Sequence, residues 1–131
     1  MQTKLTTEQS KHLIELGIPK EWASLLLPTD SYEVEDIAVT TGIPIFEIDD
    51  LLAILPSSIF CRSEFSTRQF DRYIITRELG QGKAEYILYY ACKEVTLTLN
   101  PIIYEEELVV GLYKLLVWVL ENHPKSIKRK I

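Results

Sequence analysis

Side chains that carry metal or nucleophilic chemistry are scarce in this sequence. Among its 131 residues there are two cysteines, Cys61 and Cys92, and two histidines, His12 and His123. The number and spacing of the cysteines match no zinc pattern, so we interpret both as free buried thiols. Neither histidine has a cysteine or carboxylate at ligand spacing, and no serine–histidine–acid set is apparent. We therefore predict no catalytic residue, no metal site and no cofactor, and expect a protein that is not an enzyme.

The sequence also lacks an apolar leader and a membrane-spanning run. The segment MQTKLTTEQSK at the N-terminus is polar and predicts no secretory signal. The most apolar stretch, residues 108–120, is interrupted by Lys114 and is shorter than the roughly 20 residues that cross a bilayer. We expect a cytoplasmic protein with no membrane partner.

Basic residues are rare in the first part of the chain. Residues 1–56 carry a net charge of −7, whereas residues 57–131 carry +2. An acidic half disfavours nucleic acid as a ligand, because phosphate neutralisation requires lysine and arginine. Four basic residues near the C-terminus are candidates for contact with an anion: Lys125, Lys128, Arg129 and Lys130. A solvated terminus is the favoured alternative for this cluster.

Helical signals occupy both ends of the chain. Thr6 and Gln9 have the spacing of a capping box, and Gly17 predicts the end of that first helix. A second short helical segment is expected over residues 18–28, and a third over 47–56, where Asp49 and Asp50 complement the helix dipole. The last helix is predicted from Tyr104 to Asn122. Residues 29–44 have no clear assignment beyond a loosely alternating, irregular strand.

The middle of the chain alternates with a period of two. Four strands are predicted, at residues 58–65, 70–79, 84–92 and 95–99, with a tight turn at 80–83. Asn100-Pro101 is expected to end the sheet. This order predicts an α+β fold with short N-terminal helices, a four-stranded antiparallel meander and a long C-terminal helix packed on one sheet face. We expect a single domain over residues 1–131, with a basic tail at about 124–131.

Residues 34–55 have a spacing that weakly matches a helix-turn-helix unit. Its second helix would carry Glu47, Asp49 and Asp50 towards DNA phosphates, with no lysine or arginine nearby. The alternative, a packing helix that follows a glycine turn, is therefore favoured over DNA binding.

The last helix is apolar over most of its circumference, which suggests an assembly surface. On a helical wheel its polar strip holds Glu107, Gly111, Lys114 and Glu121, and Trp118 lies in the middle of that strip. Tryptophan is enriched among interface hot spots, so Trp118 is a candidate interface residue. In the alternative interpretation another element, such as the 18–28 segment, covers the indole.

An aromatic strand at residues 86–91 supplies a second candidate interface. If Ile87 and Tyr89 point towards the helices, then the opposite face holds Tyr86, Leu88 and Tyr90, with Tyr73 on the neighbouring strand. Tyrosines on an open sheet face are suited to partner contact. The favoured alternative is a cross-strand aromatic ladder that supports the sheet.

Three blocks of the sequence resemble a known set of proteins. They read LTTEQSKHLIELGIPKEW, FEIDDLLAILP and EELVVGLYKLLVWVLENH. They are similar to small uncharacterised bacterial proteins that are often carried on phages and other mobile elements. The resemblance covers residues 5–27, 45–56 and 105–123. It implies a fold and an origin, but no activity and no catalytic residue.

Together these features predict a non-enzymatic protein that acts through protein–protein contact or self-association, with a symmetric homodimer expected. The alternative is a regulator that binds a small molecule or nucleic acid, working through its basic tail. Binding to nucleic acid that weakens steeply with salt would favour this alternative.

Overall fold

The computed structural model describes residues 2–34 and 37–127, except for the side chains of residues 29–41. It has the α+β fold predicted from the sequence. Its helices are α1 (Thr7–Glu15), α2 (Ile48–Ile54) and α3 (Leu108–Asn122), with 3-10 turns at Lys20–Trp22 and Pro124–Ser126. Its strands are β1 (Leu25–Val34), β2 (Ile37–Ile45), β3 (Ser58–Arg62), β4 (Thr67–Gly80), β5 (Lys83–Cys92), β6 (Leu97–Thr98) and β7 (Ile103–Glu105).

Local signals place α1 and α2 correctly. The Gln9 backbone N–H donates to Thr6 Oγ1, and the Thr6 N–H donates to Gln9 Oε1, which completes the predicted capping box. Gly17 follows the helix with a φ of 108°, a conformation that glycine adopts without strain. The structure confirms the third predicted helix as α2, although it is shorter than the predicted segment.

The helical prediction for residues 18–28 was wrong beyond a single turn, whereas the irregular strand suggested within residues 29–44 is present as parts of β1 and β2. The helical segment is only the turn at Lys20–Trp22, and residues 25–27 lie in β1, which pairs antiparallel with β2 as a separate two-stranded sheet. The helix-turn-helix interpretation fails because Ile37 and Ala38 lie in strand β2. Several β-branched residues of β2 favour a strand, and Gly42 allows the close approach of Leu26 and Leu27.

The main sheet has five strands in the order β3-β4-β5-β6, and β7 also pairs with β5. The β4–β5 hairpin turns at Gln81-Gly82, both with positive φ, as the predicted tight turn requires. Pro101 does not end the sheet, because β7 pairs with residues 86–88 of β5. The last helix therefore begins at Leu108 rather than at Tyr104.

Helix α3 packs on one face of this sheet and against α2. The core contains β5, α2 and α3 residues and includes Leu51, Leu88, Tyr90, Leu112, Leu115, Leu116 and Val119. Gly111 also lies on the buried side of α3, although the helical wheel placed it on the polar strip. Within the described chain, no helix is both long enough and apolar enough to cross a bilayer.

Candidate functional site

Strand β5 presents the opposite face from the one predicted. Leu88 is 0% exposed and Tyr90 is 1% exposed, so neither can form a partner surface, and that prediction was wrong. Tyr86 is half-buried and packs against the core. The run YILYYA is apolar on both faces, so its alternation does not reveal which face meets the helices.

Tyr90 is a structural residue of the core. Its hydroxyl donates to the Pro56 carbonyl at 2.6 Å, which joins β5 to the segment after α2. Burial raises the pKa of Tyr90, because the low-dielectric interior disfavours the phenolate. This tyrosine therefore supports the fold from within the core and not through a cross-strand aromatic ladder, since the residue opposite it on β4 is Arg72.

Trp118 is half-buried and has neighbours within the chain. Its ring centroid lies 6.1 Å from that of Tyr90 and 5.2 Å from that of His123. The Asn122 side-chain amide donates to the Trp118 carbonyl at 2.9 Å. The rings of Tyr90 and His123 lie beside the indole, so it is not the isolated exposed group that the helical wheel suggested.

The uncovered face of the main sheet holds a cluster that includes Tyr73, as the sequence suggested, together with Ile87 and Tyr89, which the sequence interpretation assigned to the helix side. It comprises Tyr73, Ile75, Ile87, Tyr89 and Tyr104, which we call the open sheet face. Tyr73 and Tyr89 are directly opposed and their rings stack with centroids 5.4 Å apart. Ile87 lies opposite Ile75 on one side and Tyr104 on the other. Ile75 is 45% exposed and Tyr104 is 52% exposed, and none of the five packs against the buried core.

Charged groups at the margins of the open sheet face are engaged with neighbours. Arg77 forms an ion pair with Glu85, and its guanidinium lies 5.7 Å from the centroid of the Tyr104 ring. Lys93 Nζ lies 5.6 Å from the centroid of the Tyr73 ring. Both arrangements permit cation–π attraction. The face therefore offers mainly apolar and aromatic area for contact.

A polar corner lies where β3, β4 and β5 meet. Ser58 Oγ and Gln69 Nε2 donate to Asp71 Oδ1 at 2.7 and 2.8 Å. The bond from Ser58, followed by that from Gln69, lowers the pKa of Asp71. A cleft of about 380 Å³ beside it is also lined by Arg68 and Lys93. Because Asp71 already accepts bonds within the chain, its placement is explained by the pairing of β3 with β4.

The remaining candidate side chains do not converge. His12 Nδ1 hydrogen-bonds the Tyr113 hydroxyl, which ties α1 to α3, and burial raises the pKa of Tyr113. Cys61 and Cys92 are free, and burial raises the pKa of the Cys61 thiol. Among the side chains of residues 2–28 and 42–127, no three metal-ligating groups come together.

The basic tail is only partly described. Lys125 is exposed in the 3-10 turn after α3. Lys128, Arg129 and Lys130 lie outside the described residues. The predicted anion contact therefore stays a prediction.

Comparison of this chain with protein-family models, with curated proteins and with solved structures finds no match. The resemblance to small bacterial proteins of phages and mobile elements therefore stays a prediction that rests on the three sequence blocks.

Proposed function

We propose that this is a non-enzymatic protein that acts through protein–protein contact, and that its partner is a second copy of the same chain. The open sheet face carries the proposal. It groups three tyrosines and two isoleucines in one exposed cluster, and Ile75 keeps 45% of its surface in water. Removing such apolar area from water is the main favourable term in protein association.

The composition of the open sheet face also supports contact with protein. Tyrosine is enriched at interfaces because it buries a large area while retaining a polar end. Arg77 beside it is paired with Glu85 within the chain, and Lys93 lies over the Tyr73 ring. Docking a second protein therefore does not require the burial of an unpaired charge at these positions.

Sedimentation equilibrium over a concentration series tests the proposal. We expect the wild-type protein to associate in the micromolar range, as is usual for small interfaces, and Ile75→Lys to weaken association by at least about tenfold. The lysine would put a charge within the contact.

Phe65→Lys is the matched control. Phe65 is 93% exposed in the turn between β3 and β4 and lies off the open sheet face. It should associate as the wild type does. The proposal fails if the wild type has the mass of one chain throughout, or if both variants associate as the wild type does.

A further inference from the structure

Strand β4 extends well beyond its neighbour β3. Residues 67–71 of β4 pair with β3, and the Arg72 N–H donates to the Ser57 carbonyl at 2.9 Å. From residue 73 onwards β4 pairs with β5 on one side, and no described strand pairs with it on the other. This leaves a free strand edge beside the open sheet face.

The direction of the Arg72 bond identifies the backbone groups at this edge. Along an antiparallel strand, successive residues direct their N–H and C=O groups to opposite sides. Arg72 directs its N–H to the β3 side of the strand. Ile74, Thr76 and Glu78 therefore direct their N–H groups to that same side, where no described strand follows β3. Their N–H and C=O groups point away from β5 and can bond another strand.

The free edge has definite ends. Ser57 occupies the place opposite Arg72, so an incoming strand has room only from residue 74 onwards. At the other end the β4–β5 register shifts between Glu78 and Gly80, a bulge that bends the strand. We call residues 74–78 the edge window, and Thr76 is its centre.

We propose that two copies of the chain pair antiparallel through their edge windows, with Thr76 opposite Thr76 of the partner subunit on a two-fold axis. The opposed pairs Ile74–Glu78, Thr76–Thr76 and Glu78–Ile74 then exchange about six backbone hydrogen bonds, two per pair. The two five-stranded sheets become one sheet of ten strands. This inference rests on the proposed function, because its partner is the same second copy. It narrows the contact to the β4 edge of the open sheet face, where Ile75 is covered while Ile87, Tyr89 and Tyr104 stay open.

The charges of the edge window select this register. A two-fold axis at Arg77 would place arginine opposite arginine, and one at Glu78 would place glutamate opposite glutamate, both of which are destabilising. An axis at Ile75 would drive the partner's Glu78 into the place that Ser57 occupies beside Arg72. With the axis at Thr76 that place falls to Gly80 of the partner subunit, which lies beyond the bulge, where the strand bends away. With the axis at Thr76, Ile75 packs against the aliphatic stem of Arg77 of the partner subunit.

The other described sheet edges are less suited to pairing. Strands β6 and β7 have two and three residues, and β3 contacts the 3-10 turn that follows α3. Strands β1 and β2 contain Pro28 and Pro44, which have no backbone N–H to donate to a strand that pairs at the edge. The edge window contains no proline, so a second copy can dock there.

Thr76→Pro tests the edge contact. The Thr76 N–H is not directed at β5, so the single chain should retain its β4–β5 hairpin, whereas the paired form loses two central hydrogen bonds. We expect association to weaken by at least about tenfold. Thr76→Val keeps the N–H and should associate as the wild type does. Circular dichroism of both variants checks that they remain folded.

Cysteine cross-linking provides a second test, which does not depend on the proline variant. In a Cys61→Ser background, Thr76→Cys should form a disulfide-linked dimer under mild oxidation, because opposed hydrogen-bonded residues lie about 5.5 Å apart between Cα atoms. Leu79→Cys is equally accessible to oxidant, at 45% exposure, but lies three residues from the axis. Its partner Cα is then roughly 20 Å away, and no rapid link should form.

The outcomes separate this inference from the proposed function. If the wild type associates, but Thr76→Pro associates equally well and Thr76→Cys links no faster than Leu79→Cys, the edge contact is wrong and self-association stands. In that case Ile87→Lys, on the face and away from the edge, should weaken association. A wild type that stays a single chain overturns both proposals.

Discussion

At the scale of single residues, Asp50 is the most informative side chain. It is buried at 3% exposure, and its Oδ2 accepts from the Ser24 N–H at 3.0 Å, from Ser24 Oγ at 2.7 Å and from the Glu47 N–H at 2.9 Å. These bonds fix the start of α2 against the segment that leads into β1. The sequence indicated only a carboxylate that complements the helix dipole, because the partner Ser24 is distant in the chain.

Replacement of Asp50 by alanine should destabilise the fold. The change removes the acceptor of three part-buried hydrogen bonds, and we expect the free energy of unfolding to fall by about 2–3 kcal/mol in urea titrations. Asp49→Ala is the control, since Asp49 lies in the same turn but is exposed. Its loss should stay below about 1 kcal/mol, the range of a dipole effect. Equal losses for both variants would contradict the role assigned to the buried network.

Stability at alkaline pH should depend on Tyr90. Its pKa is raised in the folded state, so the folded chain retains a proton that the unfolded chain releases above its ordinary pKa of about 10. The contribution of Tyr90 to the free energy of unfolding is therefore fully present below about pH 10. Above that pH the free energy of unfolding decreases by up to about 1.4 kcal/mol for each further pH unit. Tyr90→Phe should remove this part of the slope, as measured by urea unfolding between pH 9 and pH 11. An unchanged slope would show that Tyr90 ionises alike in both states.

At the scale of secondary-structure elements, α3 approaches β5 closely at a glycine. A Cβ added at Gly111 would lie 2.6 Å from Leu88 Cδ1, and Leu88 is itself fully buried. The absence of a side chain at Gly111 therefore sets the distance between the helix and the sheet.

Gly111→Ala tests this packing. Alanine gains about 1 kcal/mol of helix propensity, but overpacking against a buried side chain costs about 1–3 kcal/mol, so we expect a net loss of stability of about 1 kcal/mol. In a Leu88→Val background the alanine should cost less, which a double-mutant cycle measures. A Gly111→Ala variant that is more stable than the wild type would exclude the steric conflict.

The elements that the sequence predicted well are those with local signals. The capping box at Thr6 and Gln9 and the hairpin turn at Gln81-Gly82 depend on neighbouring residues, and both are present. Strand β7 was missed because its three residues become a strand only by pairing with β5. Strands β1 and β2 likewise depend on each other, across a span in which prolines suggested interruptions.

The candidate site was predicted less well, for one physical reason. The sequence located aromatic residues on two neighbouring strands, and Tyr73 does lie in the exposed cluster. It could not determine which face of β5 the helices cover, because residues 86–90 are apolar at every position. Tyr86, Leu88 and Tyr90 were therefore exchanged with Ile87 and Tyr89. A distinguishing signal lies at the turn end of the hairpin, where the opposed residues Arg77 of β4 and Glu85 of β5 mark the exposed face.

At the scale of the whole molecule, self-association would link stability to concentration. A partner that binds only the folded chain stabilises it by mass action. The midpoint of thermal unfolding, Tm, of the wild type should rise by about 3–5 °C between roughly 10 and 500 μM chain. Differential scanning calorimetry of Thr76→Pro should show a smaller rise in Tm over the same concentration range. A wild-type Tm that does not change with concentration would contradict self-association in this range.

The bulge after Glu78 has a consequence for solubility. Amyloid-like stacking requires uninterrupted segments of about six or seven residues, and the bend leaves only five in line. Once two copies have docked, neither offers that template to a third. In the proposed dimer, the protein would therefore stop at two copies at high concentration instead of growing into fibrils, although each single chain has a free edge window.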